Sequence, residues 1–230
     1  MLGSRIPAVL VALLLLCCAV TAGFAADIVT VPTANQLKAG EVDLAAYHIE
    51  LDDFGPVDNV RALTLYAGLT DKIELDVHRY DVDVPVGSGV MTIVNATYLV
   101  LPETLDRPVV VIGGRDLTAE ADHASWFVSA AKTLNPPVGG PPTGPIFRAH
   151  LSLGTEDNTL LGEPRHSGLF GGLQVLVKPT FPQVGVVGLY DGQDIITAVT
   201  YTHGPQWPTI KGGTFGDHTW IGLSYTFNAK

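Results

Sequence analysis

Cysteine is nearly absent: the sequence has two, Cys17 and Cys18, both close to its start. A chain beginning at Ala26 has none, which excludes a disulfide scaffold and any thiolate metal site. Basic charge is also scarce, with 13 Lys and Arg against 23 Asp and Glu. Arg5 is the sole charged residue before Asp27, so from Ala26 onward 12 basic residues remain and the formal charge is −11. That balance argues against nucleic acid as a partner, since phosphate binding needs a basic stripe, and against anionic lipid surfaces. Beyond Ala26 no run approaches the ~18 uncharged apolar residues of a transmembrane helix. Sustained 3.6-residue periodicity with caps is missing as well. Residues 119–132 pass for a short helix, but Trp126-Phe127-Val128 suits a strand equally well.

The first thirty residues are a segment of their own. After Arg5 comes an apolar run from Val9 to Val20, then the small residues Thr21, Ala22 and Gly23, then Phe24-Ala25-Ala26. A positive start, an apolar stretch and a small-residue exit are the signature of a secretory signal peptide. Cleavage is expected after Ala25, leaving 26–230 as one domain. The rival readings are a membrane anchor, for which the run is short, and a lipoprotein, for which Leu14, Leu15 and Leu16 are the wrong residues before Cys17.

What is present beyond the leader is almost wholly strand-like. Twelve runs stand out: 41–51, 60–69, 72–81, 90–100, 108–114, 124–133, 146–155, 167–178, 184–190, 194–202, 208–214 and 218–227. Gly, Pro, Asp and Asn clusters separate them, among them Asp53-Phe54-Gly55-Pro56, Asn135-Pro136-Pro137 and Asp191-Gly192, residues with dihedral reasons to turn. Several runs alternate. Ile73, Leu75 and Val77 oppose Glu74, Asp76 and His78; Phe147, Ala149, Leu151 and Leu153 oppose Arg148, His150 and Ser152; Ile221, Leu223, Tyr225 and Phe227 oppose Trp220, Gly222, Ser224 and Thr226. Period two places one face in an apolar medium and the other in a polar one. A soluble sandwich or barrel turns the apolar face inward. An outer-membrane barrel turns it outward and lines its lumen with Glu74, Asp76, His78, Arg148 and His150.

Strand length favours the second arrangement. Many runs have 9–11 residues, as a tilted strand needs to cross a bilayer, whereas globular strands average ~5–6. The fold expected is therefore all-β, an antiparallel up-and-down barrel of about 12 strands. The C-terminus agrees: Gly222, Tyr225 and Phe227 match the terminal strand by which outer-membrane barrels are recognised for assembly, with Trp220 a departure from it. One connection disagrees. Outer-membrane barrels alternate short periplasmic turns with long external loops, and 134–145, nominally periplasmic, is long and proline-rich. A lumen of this size is wide unless side chains such as Glu74, Asp76, Lys132 and Arg148 fill it. Trp126, Trp207, Trp220, Tyr80, Tyr98 and Tyr201 are candidates for aromatic girdles at the two interfaces.

Val31-Pro32-Thr33-Ala34-Asn35 and Leu65-Tyr66-Ala67-Gly68-Leu69-Thr70-Asp71-Lys72-Ile73-Glu74-Leu75 resemble segments of YjbH-like outer-membrane barrels associated with exopolysaccharide. The second segment is similar to the strand, tight turn and strand of that family. The resemblance covers about residues 27–80 and the C-terminus, and implies an envelope or exopolysaccharide role by analogy of fold.

Catalytic signatures are missing: no His-Glu-x-x-His, Gly-x-Ser-x-Gly, phosphate-binding glycine loop or EF-hand loop occurs. Asp76 with His78, and Arg148 with His150, read more readily as paired lumen charges than as metal or proton-transfer sites. The acidic stretch Gly154-Thr155-Glu156-Asp157-Asn158 reads as a solvated loop before it reads as a cation site. No cofactor is expected. The reading is a non-enzymatic outer-membrane barrel with a structural, transport or envelope role. Its expected partners are membrane lipid, the barrel-assembly machinery, and a polysaccharide or small solute. The alternatives are a soluble secreted or periplasmic barrel that binds a small apolar ligand, and a secreted β-rich hydrolase.

Overall fold

A computed structural model describes residues 27–28, 31–51, 59–84, 87–120, 124–137, 139–155 and 165–229. The leader 1–25, and the acidic stretch from residue 156 to 164, lie outside them. Two short strands come first, β1 (Asp27–Ile28) and β2 (Val31–Pro32), paired with each other. Twelve long strands follow: β3 (Glu41–Glu50), β4 (Asn59–Gly68), β5 (Ile73–Val84), β6 (Gly87–Leu101), β7 (Val109–Arg115), β8 (Ser125–Thr133), β9 (Ile146–Gly154), β10 (Gly168–Lys178), β11 (Gln183–Tyr190), β12 (Ile195–Thr202), β13 (Thr209–Phe215) and β14 (His218–Asn228). Each matches one of the runs read from the sequence, to within a few residues at its ends.

Every one of the twelve pairs antiparallel with its sequence neighbours, and β14 pairs β3 from Thr219↔Glu50 to Asn228↔Glu41, closing the barrel. Closure removes both sheet edges, which otherwise present unpaired backbone groups. The near end of the barrel is where β3 begins and β14 finishes; the far end is the other. Connections 69–72, 102–108, 134–145, 179–182 and 203–208 lie at the near end. The strand count is twelve, so 134–145 does fall on the same end as both termini of the barrel, and loop length does not alternate cleanly here.

The strands are amphipathic, with the polar face inward. On β5, Glu74, Asp76 and His78 are buried, while Ile73 is 39% exposed. On β14, Ile221 and Leu223 are 58% and 46% exposed, whereas Trp220, Gly222 and Ser224 are buried. Each of the twelve long strands carries at least one large exposed apolar side chain, from Leu44 on β3 to Leu223 on β14. The outer wall therefore presents apolar side chains on every long strand. Polar outward residues collect at the far end of β3–β5, where Arg61 meets Asp83 at 2.8 Å and Arg79 meets Asp81 at 3.6 Å.

Parity sorts the aromatic and charged residues. Trp126, Trp207, Tyr98 and Tyr201 are exposed, but Tyr80 and Trp220 are buried in the lumen, on the same strand faces as His78 and Ser224. They do not belong to a girdle. Lys132 likewise is not a lumen charge: Ser129 and Ala131 hold the inward positions of β8, and the Lys132 ammonium donates to the Thr104 and Leu105 carbonyls at 2.5 and 2.9 Å in the connection after β6.

Candidate functional site: the barrel lumen and its two polar clusters

The expected lumen cluster is inward, but it is divided between two walls. Glu74, Asp76 and His78 stand on β5; Arg148 and His150 stand on β9, with three strands between. His78 Nδ1 lies 3.2 Å from Thr64 Oγ1, its cross-strand neighbour, and its ring stacks parallel to Tyr80 and edge-on to Tyr66. His150 Nε2 lies 2.8 Å from Gln174 Oε1 on β10. Among the described residues no three His, Cys, Asp or Glu side chains are placed to hold a metal ion.

The two walls are joined by a segment with no strand periodicity. Residues 33–38 enter the lumen at the near end, and Thr33, Ala34, Asn35 and Leu37 are buried there. The Leu37 amide donates to Glu74 Oε2 at 2.6 Å. Gln36 Nε2 donates to the Lys72 carbonyl at 3.1 Å and to the Thr97 hydroxyl at 3.4 Å. On the opposite wall, Arg148 Nε donates to Asn35 Oδ1 at 2.9 Å, and Asn35 Nδ2 donates to Gln174 Oε1 at 3.5 Å. A buried backbone N–H must find an acceptor, and here β5 supplies one from its lumen face.

The segment leaves the lumen through a tight turn. The Glu41 amide donates to the Lys38 carbonyl at 2.9 Å, with Gly40 at φ +82°; a positive φ at this turn position favours glycine. The Lys38 carbonyl packs directly on Gly68: a Cβ there would come within 2.0 Å of that oxygen. The Asp71 carboxylate accepts from the Ala39 amide at 3.2 Å, and the Thr70 hydroxyl accepts from the Lys72 and Ile73 amides at 3.1 and 3.0 Å. The stretch Gly68-Leu69-Thr70-Asp71-Lys72-Ile73-Glu74, singled out for its resemblance, is thus the cradle of the N-terminal segment.

Arg148 also anchors the near-end wall. Its Nη1 donates to Glu103 Oε2 at 2.5 Å and to Thr133 Oγ1 at 3.0 Å. Burial would raise the Glu103 carboxyl, but hydrogen bonds from the Thr133 amide and the Arg148 guanidinium outweigh it and hold its pKa below the usual carboxylate range.

At the far end lies a second buried cluster, one that no strand pattern announces. Arg165 Nη1 donates to Asp191 Oδ2 at 2.7 Å and Asp194 Oδ2 at 3.0 Å, and its guanidinium lies 4.2 Å above the Phe215 ring. The second Asp191 oxygen accepts from the Gln193 and Asp194 amides at 2.9 and 2.6 Å. Arg115 Nη1 lies 3.4 Å from His166 Nδ1, and the His166 amide donates to the Asp191 carbonyl at 2.8 Å. Arg115, Arg165, His166 and Asp191 are all buried. Buried charges of this kind persist only when paired.

Gly222, Tyr225 and Phe227 occupy the closing strand. Gly222 faces the lumen beneath the Tyr47 ring; a Cβ there would come within 2.3 Å of that ring. Tyr225, half-buried, and Phe227, buried, stack on each other at 6.1 Å. The same glycine–aromatic pairing recurs at Gly113, which lies under Phe127.

No protein-family model matches the sequence, and the search of curated proteins finds no match; neither supports the YjbH-like resemblance. One distant structural match is the N-terminal β-barrel domain of OprF from Pseudomonas aeruginosa, at 12% identity over 84% of this chain and 99% of that one, with a TM-score of 0.26.

Proposed function

We propose that this chain is an outer-membrane β-barrel whose lumen is filled, and that its role is structural or envelope-related and non-enzymatic rather than that of an open diffusion pore. The observation that carries the reading is the apolar belt on all twelve long strands around an interior of charged and polar side chains. In water such a belt would leave far more contiguous apolar surface exposed than a soluble monomer tolerates; in a bilayer it faces its proper solvent, and the closed sheet satisfies every strand's backbone internally. The exposed aromatics Tyr98, Tyr201 and Trp207 at the near end, and Trp126 and Tyr190 at the far end, suit the two interfaces.

The soluble, ligand-binding barrel needs Ile73, Leu75 and Val77 turned into an apolar cup, and they point the other way. The hydrolase reading needs convergent catalytic side chains in a cleft; the inward carboxylates and histidines are instead engaged with strand and segment partners. The plugged lumen supports an envelope role over solute conduction. A link to exopolysaccharide rests on the short motifs around 31–35 and 65–75 alone, and those motifs have a structural explanation in the cradle.

The test is fractionation followed by a heat-modifiability gel. The expected result is protein in the outer-membrane fraction that shifts mobility only on boiling in SDS. Recovery from the soluble periplasmic fraction, with no shift, overturns the proposal.

A further inference from the structure

The outer wall carries a groove of about 600 Å³ on its β3–β5 and β13–β14 side, within the ~300–1,000 Å³ usual for ligand sites. Cross-strand register sets its lining in lines. Toward the far end, Ile221, His48, Arg61 and Asp81 stand side by side; the next line is Ile210, Leu223, Ala46, Leu63 and Arg79. Ala46 is a short side chain between two long ones, so Leu63 and Leu223, both exposed, are the walls and Ala46 the floor. Leu44 and Leu65 continue the apolar surface toward the near end. The wall thus turns from charged to apolar within two lines, the profile of an amphiphile with its headgroup toward the far end.

Given the membrane placement proposed above, on which the site depends, we propose that this groove holds one phospholipid with a zwitterionic headgroup ending in a primary ammonium. The phosphate sits against Arg61 and Arg79, the ammonium against Asp81, and one acyl chain lies over Ala46 between Leu63 and Leu223. Two guanidiniums and the carboxylates of Asp81 and Asp83 share the rim. A headgroup with one charge of each sign matches it, whereas an anionic one adds unbalanced charge to a chain already rich in carboxylates. The ion pairs of the rim are kept, not displaced. Arg61 donates to Asp83 through Nη2, at 2.8 and 3.2 Å, and a guanidinium has five N–H donors. Arg79, 3.6 Å from Asp81, lies beyond hydrogen-bond distance of it. Both arginine side chains are more than half exposed, where such a pair contributes little by itself. Planar guanidiniums suit phosphate oxygens, which they can meet in bidentate fashion. A primary ammonium brings three donors to the carboxylates; a quaternary one brings none.

The folded protein carries one fluorophore-labelled cysteine, Leu65→Cys beside the groove or Leu151→Cys across the barrel. In detergent micelles it is titrated with brominated phosphatidylethanolamine, phosphatidylcholine or phosphatidylglycerol. At 65, saturable quenching is expected with phosphatidylethanolamine at concentrations several-fold below those of the other two. At 151 all three are expected to quench alike, without saturation. Arg61→Gln/Arg79→Gln is expected to erase the headgroup preference. Ala46→Leu, outward and therefore compatible with the heat-modifiable fold, is expected to weaken binding at 65 several-fold. Equal, unsaturable quenching at 65 and 151 by every headgroup overturns the proposal and leaves the membrane reading intact. Folded variants that bind like the parent overturn it too. So does a label at 65 that is shielded from all lipid as dimers form, which makes the face an interface between copies. Labels that no lipid reaches at either position, in a protein without heat-modifiability, overturn the proposal together with the membrane reading.

Discussion

Gly222 was legible as part of a terminal-strand pattern, but its reason is local. The Tyr47 ring occupies the space where its side chain would be, at the pair that closes the barrel. Gly222→Val forces that ring aside, and overpacking of this kind costs about 1–3 kcal/mol. A lower temperature for the heat-modifiable transition is expected, with much of the loss recovered in Gly222→Val/Tyr47→Ala. If the double variant fails to assemble as badly as the single one, Gly222 is read by the assembly machinery and not by Tyr47. Glu103 makes a second prediction at this scale. Its folded pKa is depressed, so its contribution is fully present above the unfolded carboxyl value, about 4.5, and is lost as pH falls through the lowered value. Acid is therefore expected to destabilise the parent more steeply than Glu103→Gln, as followed by the same transition across pH. Arg165 makes a third: Arg165→Ala leaves Asp191 buried without its guanidinium, at a cost of about 3–5 kcal/mol, read as a lowered unfolding midpoint; an unchanged midpoint counts against the far-end cluster.

At the scale of elements, the twelve strands were readable because alternation of the Ile73, Glu74, Leu75, Asp76 kind is a direct consequence of the pleat. The N-terminal segment was not readable as a plug. Residues 33–38 have no period, and their partners lie far along the chain: Glu74 is 37 residues from Leu37, and Gln174 is 139 residues from Asn35. The far-end cluster escaped for a similar reason, because Arg115, Arg165 and Asp191 come from strand ends and connections that meet only when the sheet closes. Lys132 was misplaced among the lumen charges because charge was weighed before strand parity. The segment's role has a direct test. Asn35→Ala/Gln36→Ala together with Glu74→Ala removes its hydrogen bonds to both walls, and single-channel conductance in planar bilayers is expected to rise from none to flickering openings. Equal, silent traces for parent and variant place the block elsewhere, at the Arg165 cluster.

At the scale of the molecule, the inside-out arrangement is what sequence periodicity could not decide, since alternation looks the same whichever face is turned inward. The orientation of Ile73, Leu151 and Ile221 supports the bilayer reading, and the absence of cysteine after Ala26 makes it open to measurement. Single cysteines are placed at Leu151 and Ile221, both outward, and at Thr200, inward. Each is labelled with a fluorophore, and the protein is reconstituted in vesicles containing brominated lipid. The account predicts strong quenching by lipid at 151 and 221, little at 200, and no quenching at 151 or 221 by a water-soluble quencher. Labels at 151 and 221 that are quenched from water and untouched by brominated lipid would contradict it.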